Sequence, residues 1–84
     1  MIARIYSVKD ELSNKFHNPV FVPDGETCED QAKRLFRSQV MNTTLWKDNP
    51  SDFSLWCLGA LDDTSGAISG ELTKITDGRS VQNG

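Results

Sequence analysis

The chain has 84 residues with 9 basic and 12 acidic side chains, one His and two Cys, for a net charge of −3. Such a length suits one small domain that buries roughly 60% of its unfolded surface, and it speaks for a partner subunit as added support. The acidic balance excludes a strongly basic nucleic-acid module, and the poverty in His and Cys excludes zinc ribbons and C-x-x-C redox motifs.

Residues 1–42 are charge-balanced, so residues 43–84 carry the whole negative excess. Any nucleic-acid contact therefore needs a local patch in the first half. Cys28 and Cys57 are open to two readings: reduced, partly buried thiols of a cytosolic protein, or a single disulfide. The first residues hold Arg4 and Lys9 but no apolar signal core. The longest apolar run, seven residues, is far too short to span a membrane.

In chain order, Ile2 to Val8 reads as a strand rich in β formers. Lys9 to Lys15 is polar and reads as a loop or one helical turn, with Asn14 as a turn residue. Phe16 to Pro23 is extended, because Pro19 and Pro23 bias their predecessors to extended geometry and remove ladder donors. That suits an edge strand or an arm that packs Phe16 and Phe21 on a neighbour. Asp24-Gly25 is a turn.

A helix is expected over about Cys28 to Met41, with Thr27 as N-cap and Glu29 and Asp30 in the first turn, where the dipole favours them. At 100° per residue Cys28, Ala32, Leu35, Phe36 and Val40 share one arc, which predicts that Leu35 and Phe36 lie against the sheet. Lys33, Arg34 and Arg37 share the opposite arc. The polar stretch Asn42 to Asp52 reads as a loop with Trp46 isolated in it.

Phe53 to Leu61 is the central strand. Phe53, Leu55 and Cys57 alternate with Trp56, Leu58 and Ala60, and a strand apolar on both sides is expected to be covered on both. Asp62 to Gly66 is a hairpin loop. Ala67 to Ile75 returns as a weaker strand broken by Gly70, and residues 79–84 read as a frayed tail. The expectation is one α+β domain over residues 1–84: a small antiparallel sheet of about three or four strands with one amphipathic helix packed on it.

No catalytic constellation appears. His17 has no nearby ligand partner for a metal, and Asp62-Asp63 suits a turn better than a calcium loop. Lys33, Arg34 and Arg37 read as phosphate contacts, with Arg4, Lys9 or Lys47 assisting. The plainer reading of this arc is a solvated helix face with i,i+4 pairs such as Glu29–Lys33. Trp46 and Phe16 read as stacking or interface residues, whereas Tyr6 and Trp56 read as core.

Ile5-Tyr6-Ser7-Val8-Lys9-Asp10, Phe16, Asn18-Pro19, Phe21 and Val22-Pro23 form one set of motifs. Ala32-x-Arg34-x-Phe36, Pro50-Ser51-Asp52-Phe53-Ser54-Leu55, Leu58-Gly59 and Asp62-Asp63-Thr64-Ser65-Gly66 form another. In order and spacing they resemble the small non-structural protein of gokushovirus-type microviruses, which are single-stranded DNA phages. Residues 75–81 match its C-terminal end loosely. The chain departs from the pattern in its polar segment 43–49 and its short C-terminus.

The resemblance implies a protein of the host bacterial cytoplasm that acts in single-stranded genome synthesis or packaging. It would bind single-stranded DNA, or phage and host replication and procapsid proteins. No catalytic residue, metal, cofactor, membrane or small-molecule substrate is implied, and a homodimer is expected from the short length and open strand edges. A protein adaptor without DNA contact, or an inhibitor of a host enzyme using the acidic second half, are the alternative readings.

Overall fold

The computed structural model describes residues 1–79. Apart from Arg79, the expected frayed tail lies outside the described residues. Five strands form one sheet: β1 (Ile2–Asp10), β2 (Lys15–Phe16), β3 (Val20–Pro23), β4 (Phe53–Asp62) and β5 (Ile68–Asp77). Two helices, α1 (Cys28–Asn42) and α2 (Thr44–Asp48), and a 3₁₀ turn at Pro50–Asp52 connect β3 to β4. The class is α+β, with one strand more than expected and a second, short helix in the stretch read as a loop. Pro50 opens the 3₁₀ turn, where its missing N–H costs nothing.

All pairings are antiparallel, in the order β2-β1-β4-β5, with β3 beside β2 on the same flank of β1. Two strands are therefore interior. β4 is the expected one, and β1 is the other, pairing β4 on one side and β2 and β3 on the other. Asn14 takes a φ of 58° in the turn between β1 and β2, a left-handed conformation that Asn tolerates. The expected extended segment Phe16 to Pro23 is divided: Phe16 ends β2 and Val20–Pro23 forms β3, both at the edge of the sheet.

A bulge interrupts β4. Cys57 pairs with Tyr6 and Gly59 with Ile5, so Leu58 is left without a partner on β1. Gly59 has a φ of 143°. A Cβ there would stand 1.9 Å from the Ser69 carbonyl oxygen, so only glycine fits.

The core lies on one face of the sheet. Tyr6, Val8, Val22, Phe53, Leu55 and Cys57 meet Ala32, Phe36 and Val40 of α1 there, all buried. The buried helix residues recur every fourth position and trace a narrow seam. Leu35 does not join it: it is 49% exposed, because it stands about 100° from Phe36 around the helix axis. The expectation that Leu35 packs on the sheet is thus corrected. Thr27 precedes α1 as expected but makes no side-chain cap bond. Its hydroxyl instead accepts a bond from Gln31 Nε2 at 3.1 Å.

The expected double covering of β4 is also corrected. Both helices belong to the core face, and no described element lies over the other. Trp56 remains half-buried there, and past the bulge the alternation reverses, so that Ala60 stands opposite Arg4 on the core side instead of sharing a face with Trp56. One long helix suffices for one face of a sheet this size, and the described residues hold no second helix of that length.

Candidate nucleic-acid interface

Strand alternation carries Ile5, Ser7 and Lys9 of β1 to the face without a helix, opposite Gly59, Trp56 and Ser54 of β4; Ile5, Ser7 and Ser54 are themselves buried there beneath neighbouring side chains. Lys74 of β5 is the cross-strand neighbour of Trp56, and Phe16 of β2 is that of Lys9. Phe16 and Trp56 meet edge to face, with ring centroids 6.1 Å apart and planes at 83°. The Lys9 ammonium sits over both rings, 5.7 Å from the Phe16 centroid and 5.1 Å from that of Trp56. Both distances lie within cation–π range.

A hydrogen-bonded chain fixes the indole. Trp56 Nε1 donates to Ser54 Oγ at 2.8 Å, and Ser54 Oγ donates to a Glu11 carboxylate oxygen. The bond from Ser54, with Lys9 and Lys74 nearby, holds the Glu11 carboxyl below its ordinary value. Glu11 also lies 3.8 Å from the Lys9 ammonium. The tryptophan is thereby held at the middle of the sheet, half-buried. Around it the apolar surface continues: Phe21 is 53%, Ile68 66% and Leu72 60% exposed.

The other expected contacts do not converge here. Lys33, Arg34 and Arg37 are exposed on α1, which packs on the opposite side of the sheet. Lys33 pairs with Glu29 at 3.4 Å. Lys47 is exposed on α2. Arg4 belongs to the core side, its Nε 3.2 Å from Asp24 Oδ1. There it borders an open cavity of about 450 Å³ whose walls include Tyr6, Cys28, Cys57 and Glu71. Burial, helped by a hydrogen bond to Cys28, pushes the Tyr6 hydroxyl well above the usual tyrosine value. Both cysteines are free thiols.

Trp46 is not isolated in a loop. It lies on α2, half-buried against the core, stacked on Phe53 with centroids 4.5 Å apart and tilted at 54° against His17 at 4.6 Å. Phe16 and His17 thus straddle the sheet, one ring on each side. Among the sites expected from sequence, Lys9 and Phe16 come together. Trp56 and Lys74 complete the cluster and were not anticipated as site residues. The alternation of Trp56 with Leu55 and Cys57, set beside the presence of only one long helix, is the signal that places Trp56 on the open side.

Among the described residues no group of three or more His, Cys, Asp or Glu could hold a metal ion. No described helix is long and apolar enough to cross a membrane.

Fold and surface together define a small α+β protein whose sheet presents an aromatic, lysine-bearing face. A family model described as Phage ORF5 protein matches residues 3–81. The chain belongs to that family of bacteriophage proteins. No curated protein and no solved structure matches it.

Proposed function

We propose that this chain is a non-structural protein of the gokushovirus-type microvirus kind. In this reading it binds single-stranded DNA in the host cytoplasm during genome synthesis or packaging, without catalysis. The observation that carries the reading is the Lys9 ammonium over Phe16 and Trp56 on an uncovered sheet face. Unpaired bases stack on exposed aromatic rings whatever their sequence. Lys9 and Lys74 are long enough to reach phosphates on either side of a stacked base.

A duplex keeps its bases inside and offers nothing to such rings, so the preference is for single strands. With two lysines engaged and a net charge of −3, binding is weak and salt-sensitive. Affinity falls roughly ten-fold between 50 and 200 mM salt on the usual single-strand slope.

Fluorescence anisotropy of an end-labelled oligonucleotide at low salt tests this. The expected result is binding that Trp56→Ala, Phe16→Ala, or Lys9→Ala with Lys74→Ala each weaken at least ten-fold. The triple change of Lys33, Arg34 and Arg37 to alanine leaves it within two-fold. Absence of binding at tens of micromolar defeats the proposal. So does loss confined to the helix triple variant.

A second reading rests on Phe21, Ile68 and Leu72. These exposed apolar residues extend the face beyond the lysines and suit a protein partner such as a replication or procapsid component. Nuclease-resistant capture of one partner from infected cells, lost in Phe21→Ser with Leu72→Ser, favours that adaptor role. The acidic second half would serve an inhibitor of a host enzyme in the same way, by contact with protein alone.

A further inference from the structure

The two flanks of the sheet are finished differently. On the β1 side the edge is made of two short strands, β2 and β3, with Pro19 and Pro23 beside them. Prolines and short strands are the usual means of blunting an edge. The other flank is β5, ten residues long and exposed from Ile68 to Lys74. It pairs with β4 alone. It holds no proline and a single lysine, so one side of its backbone presents N–H and C=O groups without a described strand to receive them.

We propose that β5 pairs antiparallel with the β5 of a second copy of this chain, about a two-fold axis at Leu72. The choice of a second copy comes from the strand's own charge pattern. A two-fold perpendicular to the sheet must set residues of the same face opposite one another. Centred on Glu71, such pairing opposes two glutamates, and centred on Lys74 it opposes two lysines, both unfavourable. Centred on Thr73 it sets Leu72 against the partner's Lys74.

A Gly70 centre also avoids like charges, but β5 begins at Ile68, so that register ends with Ile68 against the partner's Leu72; the centre that avoids the conflicts and pairs the whole stretch from Gly70 to Lys74 is Leu72. It sets Leu72 against the partner's Leu72, Glu71 against the partner's Thr73 and Lys74 against the partner's Gly70. Gly70 has open space around its Cα, with nothing within 4 Å of the point where a Cβ would stand, so a long lysine stem lies over it without a clash.

The ladder from Gly70 to Lys74 adds main-chain hydrogen bonds in symmetry-related pairs, about four to six in all, and Ile68 and Ser69 lengthen it. That approaches the roughly ten direct bonds of a stable interface. Leu72, at 60% exposure, gains an apolar neighbour. The uncovered faces of the two copies become one continuous surface. This pairing does not depend on what that surface binds.

Sedimentation equilibrium at micromolar concentration reads the outcome directly, with circular dichroism as the check on folding. The expected mass is twice that of the chain. Leu72→Lys sets like charges across the axis at a solvent-facing site and should return the mass to one chain with the spectrum unchanged. Leu72→Cys should cross-link to a dimer under mild oxidation, whereas Ser69→Cys, far from its symmetry mate in this register, should not.

A folded monomer at high concentration overturns the proposal. A dimer that survives Leu72→Lys, or one that Leu72→Cys fails to cross-link, also overturns it by placing the contact elsewhere. DNA titration of the unaltered chain, followed at concentrations below and above those at which sedimentation shows the dimer, separates the two proposals: the stacking face is unchanged throughout, so loss of the dimer and loss of binding are read independently.

Discussion

Trp56 and Glu11 are joined through one hydroxyl. The indole N–H reaches Ser54 Oγ at 2.8 Å, and that same oxygen donates onward to the carboxylate. Ser54 is fully buried, so its removal leaves the indole without its acceptor. Ser54→Ala should cost about 1–3 kcal/mol, the usual penalty of an orphaned polar group, read by urea denaturation.

The same bond predicts an acid response. The folded-state value of Glu11 lies below its ordinary value of 4.5. A depressed carboxylate contributes stability that is present above the unfolded value and is lost as pH falls through the folded one. Stability should therefore decline as pH drops below about 4.5, and the Glu11 part of that decline should shrink in Ser54→Ala, where the nearby Lys9 and Lys74 still act on it. Carboxyl chemical shifts followed by NMR would show the Glu11 midpoint rising toward the ordinary value in the variant.

Tyr6 governs the alkaline limb. Its hydroxyl is buried beside Cys28 and its folded-state value is raised above 10. The folded state thus keeps the proton where the unfolded chain begins to release it. The contribution is complete below pH 10 and is lost as pH rises through the folded value. Tyr6→Phe should shift the alkaline unfolding midpoint upward while changing stability at neutral pH by under about 1 kcal/mol, since the bond to Cys28 Sγ, at 3.5 Å, is weak.

The seam of α1 separates two neighbouring residues. Phe36 is 2% exposed, whereas Leu35 is 49% exposed. Phe36→Ala should destabilise the fold by about 3–5 kcal/mol, and Leu35→Ala by well under 1 kcal/mol, as for other surface sites. Thermal melts of the two variants would show whether the helix docks along Ala32, Phe36 and Val40. Equal losses would mean that the broader arc is the buried one.

That pair also marks how far the sequence could be read. Helical periodicity located α1 to within a residue and identified Ala32, Phe36 and Val40, because a four-residue spacing admits one face. It could not say how wide the buried stripe is, since that depends on the partner surface, and Leu35 was misplaced for that reason. Alternation likewise located β4, and the prolines located the edge arm. What alternation cannot express is which face finds a cover. Trp56 and Leu58 are as apolar as a core demands, yet the chain supplies helices for the other side alone. Lys9 and Phe16 were legible as candidates one at a time. Their meeting over Trp56 was not, because it depends on the β1–β2 turn at Asn14 and on the register of β1 against β4.

The bulge in β4 supplies the most stringent test of that register. At Gly59 the backbone has a φ of 143°, and a Cβ would press against the Ser69 carbonyl 1.9 Å away. At Gly70, its partner on β5, there is nothing within 4 Å of the same position. The two glycines face each other across the ladder but differ in what they permit. Gly59→Ala must move β5 backbone and hold a side chain in a conformation worth about 1–3 kcal/mol of strain, so a loss at or above that range is expected. Gly70→Ala meets no obstacle, and by restricting the unfolded chain it should be neutral or stabilising by up to about 1 kcal/mol. Denaturant midpoints for the pair decide it: similar effects at both positions would mean that the β4–β5 register slips, and that Lys74 does not stand beside Trp56.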